Sequence, residues 1–291
     1  MNKIKILIPV YNDWKSLKQL LKNIDHHIKI YNNEISIIVV NDASSEEMPE
    51  FDLILNNINS IKIINMKLNQ GHARCIATGI KYIFEREDFD YIIPMDGDGE
   101  DRPEELKLFL EKSKDFPENV ITANRVKRSE NLIFKICYQI HKIMTFIFTG
   151  KSIKFGNFTM IPKLVVEKLV NEKASWNSFS GSLCKVSNNL KSIPSIRGTR
   201  YFGPSKMSFL NLINHSLSII SVFKFTWLIR SIVFIIIYCY LISQNISLIT
   251  LIPVIVLLIL NIQIFKLATR ENIEQYGNSL SNILNTKNVK Q

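Results

Sequence analysis

Residues 94–105 read Pro94-Met95-Asp96-Gly97-Asp98-Gly99-Glu100-Asp101-Arg102-Pro103-Glu104-Glu105, six acidic side chains in twelve positions. The run follows the apolar Tyr91-Ile92-Ile93, and its second proline suits the first position of a helix. It reads as the turn between a strand and a helix. In a chain of net charge +10, such a turn is either solvated or a seat for a cation. A calcium loop of the EF-hand kind needs Gly at position six and Glu at position twelve. Asp101 and Lys107 stand there instead. What remains is a carboxylate pair, Asp96 and Asp98, two residues apart. Hard oxygen ligands of this kind suit Mg2+ or Mn2+, which keep waters and bridge substrate phosphates.

Outward from this turn the chain alternates. Residues 4–10, 34–40, 61–65, 90–95 and 119–123 are short apolar runs that read as strands. Helix-length segments separate them: 14–30, a helix near 49–57, 71–84, and one opening at Pro103. The alternation predicts an α/β fold with a mostly parallel sheet and helices on both faces. After Asn124 the pattern changes. Residues 132–148, 162–171, 177–188 and 207–223 read as helices and 155–161 as a short extended piece. The tail beyond Asn272 is polar and reads as a frayed end.

Open parallel sheets bind ligands beyond the carboxyl ends of their strands. Polar residues gather at four of those ends: Pro9, Tyr11 and Asn12; Asn41, Asp42 and Ser44; Asn69, Gln70, Gly71 and His72; Asp96 and Asp98. Each alone reads as an ordinary turn or helix cap, and His72 as a loop residue. Four on one sheet edge indicate a site. No G-x-G-x-x-G follows the first strand and no G-x-x-x-x-G-K-[ST] is present, which argues against a dinucleotide fold and a P-loop.

The positive charge is uneven. Between Lys173 and Arg270 lie ten Lys and Arg and no Asp or Glu, and the remaining 26 of each sign cancel. An anionic partner is implied there. The same segment is the most apolar of the chain, which favours a membrane surface over nucleic acid. Residues 231–265 carry no charge. One helix of that length would span about 52 Å, against a bilayer core of about 30 Å. Two spans, 226–243 and 246–265, fit better; a buried helical hairpin is the alternative. Arg230 is expected to snorkel to the interface. Lys224, Lys266 and Arg270 flank the hairpin, which places both termini in the cytoplasm. The N-terminus does not read as a signal peptide. Cys75, Cys137, Cys184 and Cys239 show no paired spacing and suit a reducing compartment.

Taken together, IPVYN (8–12), VVNDAS (39–44), NQGHARCIATGI (69–80) and MDGDGEDRPEEL (95–106) resemble the GT-A nucleotide-diphospho-sugar domain of family 2 glycosyltransferases. ANRVKRSE (123–130), FGNFTMI (155–161) and RYFGPSKMSFLNLI (200–213) are similar to the second half of polyprenyl-phosphate and dolichyl-phosphate sugar synthases. A related bacterial membrane group has the same DGEDRPE, GNF and hairpin. The resemblance covers about residues 3–265 and implies a GT-A domain over 1–204, with a nucleotide-sugar half to about 124 and an acceptor half after it. A juxtamembrane helix (205–225), the hairpin (226–265) and a cytoplasmic tail (266–291) would follow.

The resemblance implies that Asp42 contacts the nucleotide, with Pro9, Tyr11, Asn12 and Gly71 shaping its pocket. It places Asp96 near ribose and metal, and Asp98 as principal metal ligand; Glu100, where the synthases have Gln, would add a third. Arg125 and Arg128 match basic positions facing donor or acceptor phosphates, and Arg200, Ser205 and Lys206 match the membrane-surface acceptor region. Three departures stand out. Asn41 replaces a usual Asp, Ala43 a usual Gly, and Asn157 an Asp proposed as catalytic base. Asp101 is then a candidate base. The implied activity is transfer of one sugar, from UDP by default and GDP next, to a polyprenyl phosphate at the inner membrane. The alternatives are a hydroxyl acceptor on a lipid-linked saccharide and a non-catalytic scaffold. Homo-oligomerisation is left open.

Overall fold

The structure, a computed structural model, describes residues 1–29, 33–51, 53–127, 132–204 and 209–290. Eight strands form one sheet in the order β7-β5-β6-β4-β1-β2-β3-β8. At its centre lie β1 (Lys3–Val10), β2 (Glu34–Asn41), β3 (Ser60–Met66) and β4 (Tyr91–Pro94), all parallel. Beyond β4 come β6 (Thr159–Pro162), antiparallel to its neighbours, then β5 (Val120–Lys127) and β7 (Leu190–Ile196). β1 and β2 read as near-continuous apolar runs because both their faces are covered. One face packs on α1 (Trp14–Ile28) and α3 (Leu106–Asp115) through Leu17, Leu20, Ile24 and Phe109. The other packs on α2 (His72–Arg86), α5 (Lys163–Val170) and α6 (Phe179–Val186) through Ile76, Ile80, Val166 and Leu183. Strand order reverses at β1, so the β1/β4 edge is the switch point where a parallel sheet opens a crevice.

α4 (Leu132–Thr149) and α7 (Phe209–Ser221) pack beside the apolar hairpin of α8 (Lys224–Ile242) and α9 (Leu248–Ala268). Both hairpin helices are long and apolar enough to cross a membrane, and in their most apolar windows only 11% and 17% of residues are buried. A soluble core hairpin would be mostly buried. Trp227 of α8 packs against Phe148 with ring centroids 4.5 Å apart, while Phe146 is exposed. Arg230 Nη1 donates to the Ile147 carbonyl at 2.8 Å and caps the end of α4.

Three expectations need correction. The tail does not fray. After α10 (Ile273–Gly277) it forms β8 (Ile283–Lys290), which pairs antiparallel with β3 and closes that sheet edge. β7, not expected from the sequence, contains Pro194, which an edge strand tolerates. No helix forms in the described part of 47–59. There the backbone N–H groups of Asn56, Asn57 and Ile58 all donate to the Asp25 carboxylate, at 3.2, 2.7 and 2.9 Å. A side chain has taken the donors that a helix would have used.

Burial alone would raise the Asp25 carboxyl, but these N–H bonds outweigh it and hold it below its ordinary value. Its stabilising share is complete above the unfolded value of about 3.9 and is lost as pH falls through the lower folded value. Asp25→Ala is expected to cost about 3 kcal/mol at pH 7. Thermal unfolding of the detergent-solubilised protein should show the gap between wild type and variant closing in acid. A gap that does not depend on pH would contradict the assignment.

Candidate active site

The acidic turn leaves β4 at the switch point, and cations from elsewhere in the chain meet it. Asp96 Oδ1 lies 3.2 Å from His72 Nε2, at the first residue of α2. Asn157 Nδ2 sits 2.8 Å from that same nitrogen and 3.4 Å from Asp96 Oδ1. Asp98 Oδ2 is ion-paired with Arg200 Nη1, and Arg200 Nη2 reaches Asp13 Oδ2 at 3.1 Å. Glu100 pairs with Arg197. The segment after β7 is therefore laid along the acidic turn. Backbone bonds fix it there: Gly198 N–H donates to the Glu100 carbonyl and Tyr201 N–H to the Asp98 carbonyl, both at 2.9 Å. Tyr201 packs on Gly99, whose φ is +94° and whose Cβ, if present, would lie 2.7 Å from the ring. The glycine is needed for the chain's own fold at this turn.

Asp101 lies beneath the turn. It is buried, its Oδ2 accepts the Asp96 N–H at 2.9 Å, and Arg125 Nη2 is 3.7 Å from its Oδ1. Burial and the Asp96 charge push its carboxyl well above the ordinary range. Burial would raise Asp96 as well, but His72, Arg125 and Asn157 outweigh it and keep Asp96 ionised. Burial and then the Asp96 charge also raise Asp98, in spite of Arg200. Carboxylates held this close favour an added cation.

Asp42 is buried at the end of β2. Its two oxygens accept the N–H groups of Gln70 and Gly71, at 2.8 and 2.9 Å. It thereby shapes the loop that opens α2. Asn41 Nδ2 donates to Asn65 Oδ1 at 2.9 Å, and Asn65 Nδ2 to Asn285 Oδ1 at 2.7 Å. This amide ladder crosses β2, β3 and β8, and an aspartate at 41 would remove its first donor. Ala43 holds φ 54° and Asn12 φ 48°, left-handed conformations in which glycine costs least. Asn12 N–H donates to Ser44 Oγ at 2.9 Å, tying the first two strand ends together. Pro9 is buried within β1, and Tyr11 is exposed beside it.

The structure thus gathers Asp96, Asp98, Asp101, Asn157, Arg125 and Arg200 into one place. Arg128, Ser205 and Lys206 lie outside the described residues. Asp96, Asp98 and Glu100 do not converge as three carboxylate ligands, because each turns to a different cation. Among the described residues no group of three or more His, Cys, Asp or Glu is arranged to hold a metal ion. Mg2+ and Mn2+ commonly need one or two carboxylates plus substrate phosphates, and Asp98 with Asp96 supplies that number. Asp13 is not among the candidates the sequence offers, while His72 stands in the third strand-end cluster without an assigned role. Asp13 follows directly on the first strand-end cluster, so position could have flagged it. His72 was read as a loop residue, yet it is the contact shared by Asp96 and Asn157.

A family model described as glycosyl transferase family 2 matches residues 5–164. The undecaprenyl-phosphate 4-deoxy-4-formamido-L-arabinose transferase of Proteus mirabilis is 26% identical over 218 residues, 74% of this chain and 65% of that protein. The protein of the same name from Photorhabdus laumondii is 27% identical over 220 residues, 74% of this chain and 66% of that one. The match therefore spans slightly under two thirds of these relatives' length. Among solved structures, the mannosyltransferase PcManGT from Pyrobaculum calidifontis, in complex with GDP-Man and Mn2+, superposes with a TM-score of 0.53 at 11% identity, over 97% of this chain and 87% of that one. The mannosyl-3-phosphoglycerate synthase from Rubrobacter xylanophilus gives 0.54 at 10%, over 76% and 72%. At these identities the structures establish the fold alone.

Arg200→Ala should leave Asp98 and Asp13 without their shared cation and cost about 2 kcal/mol. In chelator the thermal midpoint of the variant should fall below that of wild type, and Mn2+ should restore more of it than in wild type. Equal melting in chelator would contradict the bridge.

Proposed function

The chain belongs to glycosyl transferase family 2, and from that premise we propose that it is a membrane-anchored inverting enzyme that moves one sugar from a nucleotide-diphospho-sugar to the phosphate of a polyprenyl lipid. The observation that carries this reading is the Asp96–Asp98 turn at the β1/β4 switch point, in a chain that also carries two exposed apolar helices, α8 and α9. The two relatives with undecaprenyl phosphate in their names support the lipid acceptor.

The donor lies across the carboxyl ends of β1, β2 and β4, with Tyr11 and Asn12 at the nucleoside end and UDP the default nucleotide. Asp98, with Asp96 beside it, is the seat for Mg2+ or Mn2+ against the donor's diphosphate; the ion would neutralise charge on that leaving group. Asp96 is kept ionised by His72 and Arg125. Asp101 is a positioning residue, fixing the turn through the Asp96 N–H. Arg200 faces the phosphates once it leaves Asp98. The acceptor phosphate oxygen attacks the anomeric carbon in line as the bond to the nucleoside diphosphate breaks. A phosphate monoester has a second pKa of about 6, so the nucleophile is largely ionised at neutral pH. No strong base is then required, and the amide of Asn157 suffices to hold a hydrogen bond where a carboxylate would be needed for a hydroxyl acceptor.

β8 returns to the same sheet as β1, so both ends of the hairpin lie on the side of the catalytic domain. This supports a hairpin that crosses an inner membrane twice, with both termini cytoplasmic.

The test is mass analysis of lipid products from purified protein with Mn2+, a panel of UDP- and GDP-sugars and undecaprenyl phosphate. The expected product is lipid phosphate plus one sugar, with Asp98→Ala reducing it at least about a hundredfold. Sugar found only on a hydroxyl of a lipid-linked saccharide would replace the acceptor. No turnover and no metal-dependent donor binding would leave a scaffold.

A further inference from the structure

Three asparagines stand opposite one another on neighbouring strands. Asn41, the last residue of β2, pairs in register with Asn65 of β3, and Asn65 with Asn285 of β8. Asn41 is buried, Asn65 half-buried and Asn285 exposed. At the head of the row Asn41 Oδ1 accepts the Ser44 N–H at 3.0 Å. A backbone N–H can only donate, so it fixes which end of the Asn41 amide carries the oxygen. Asn41 Nδ2 must then donate, and it meets Asn65 Oδ1 at 2.9 Å; Asn65 Nδ2 in turn meets Asn285 Oδ1 at 2.7 Å. The row is polarised from the loop after β2 out to the sheet edge. Satisfying the buried Asn41 amide needs Asn65 alone. What Asn285 adds is direction: its oxygen keeps the Asn65 amide from turning its own Nδ2 toward Asn41.

Ser44 carries the row on to the end of β1. Its Oγ accepts the Asn12 N–H at 2.9 Å. Asn12 Oδ1 accepts the Glu46 N–H at 3.1 Å, and Asn12 Nδ2 donates to Ser45 Oγ at 2.9 Å. Among the described residues, Asn12 and Ala43 are the only non-glycine residues with positive φ. Such backbone persists only where its surroundings over-determine it, and it gathers at ligand sites. Both residues lie past the last strand pairing of β1 and β2, so the sheet ladder does not hold them. The side-chain bonds of Asn41, Ser44 and Asn12 do.

We propose that β8, the strand that follows the apolar hairpin, is a working part of the donor site. Asn285 and Asn65 are positioning residues: they orient Asn41, and through Ser44 they keep Asn12 and Ala43 in the shape that receives the nucleoside. Neither touches the donor. Bonds in such a chain reinforce one another, so a break at the sheet edge is felt at the loop. The role in donor binding rests on the proposed nucleotide reading; the hydrogen-bonded row does not.

The test uses the full chain in neutral detergent. Hydrogen–deuterium exchange follows the Asn12 and Ser44 amides, and calorimetry follows titration by UDP and by GDP with Mn2+. Asn285→Leu removes the acceptor of Asn65, and Asn65→Leu breaks the row in its middle. Each should speed exchange at both amides about fivefold and weaken nucleotide binding by a similar factor. In turnover the donor KM should rise while kcat holds. Asn285→Asp keeps an acceptor for Asn65 and should match wild type in every readout. Thr286→Gly loosens the same strand without touching the row, and should leave both amides and the nucleotide affinity unchanged. If Asn65→Leu does not fold, the variants at the exposed Asn285 still decide. Unchanged exchange in Asn285→Leu, or equal acceleration in Thr286→Gly, would overturn the row as the link. Faster exchange with unaltered nucleotide affinity would overturn the positioning role and leave a structural one. Wild type that binds neither nucleotide would overturn the donor reading itself, whereas equal nucleotide binding by all the variants would overturn the role of β8 alone.

Discussion

The site depends on how a crowded set of carboxylates is neutralised. Asp96, Asp98 and Asp101 lie on one turn, partly out of water, where like charges cannot all ionise. The chain answers each differently. Asp96 keeps its charge beside His72 and Asn157. Asp101 is pushed toward its protonated form and serves as an acceptor beneath the turn. Asp98 is met by Arg200, which also holds Asp13. The segment after β7 is thereby fastened across the mouth of the site by charge as well as by backbone bonds. In the proposed reaction a divalent ion and a diphosphate take over the balance at Asp98, and Arg200 becomes available to the phosphates.

The same economy of contacts joins the apolar hairpin to the sheet. The chain leaves the α/β domain through α7, runs through α8 and α9, and returns to pair β8 with β3. Asn285 on that strand continues the amide ladder that begins at Asn41, beside the proposed nucleotide pocket. The hairpin is therefore held to the domain at both of its ends.

The strand–helix alternation was legible because β1, β2 and β4 are buried along nearly their whole length and rich in Ile, Leu and Val, and β3 keeps Ile61, Ile63 and Ile64 buried. The two apolar helices were legible because a 35-residue stretch without charge is too long for one helix of ordinary length. The departures have local causes. β7 contains a proline and β8 reads as Asn, Thr and Lys, since edge strands need no apolar faces. The helix expected near 49–57 does not form because its segment is organised by one distant carboxylate, Asp25, which no local pattern reveals. In the site, Asp96 and Asp98 were evident from composition at a strand end. Their partners were not: Arg200 lies 102 residues from Asp98 in sequence, and only the fold brings them together. Asn41 and Ala43 looked like losses against the family pattern. The structure gives Asn41 a role in the ladder and leaves Ala43 in a backbone conformation that glycine would hold with less strain.

The central claim is that the acidic turn seats a divalent ion against a donor's diphosphate. The most direct measurement is pulsed electron–nuclear double resonance on Mn2+ added to the protein with a UDP-sugar. The account predicts a phosphorus coupling from the directly bound diphosphate together with protein-dependent broadening, the broadening being lost in Asp98→Asn. A Mn2+ signal identical to that of the free Mn2+–nucleotide complex, with or without Asp98, would contradict it.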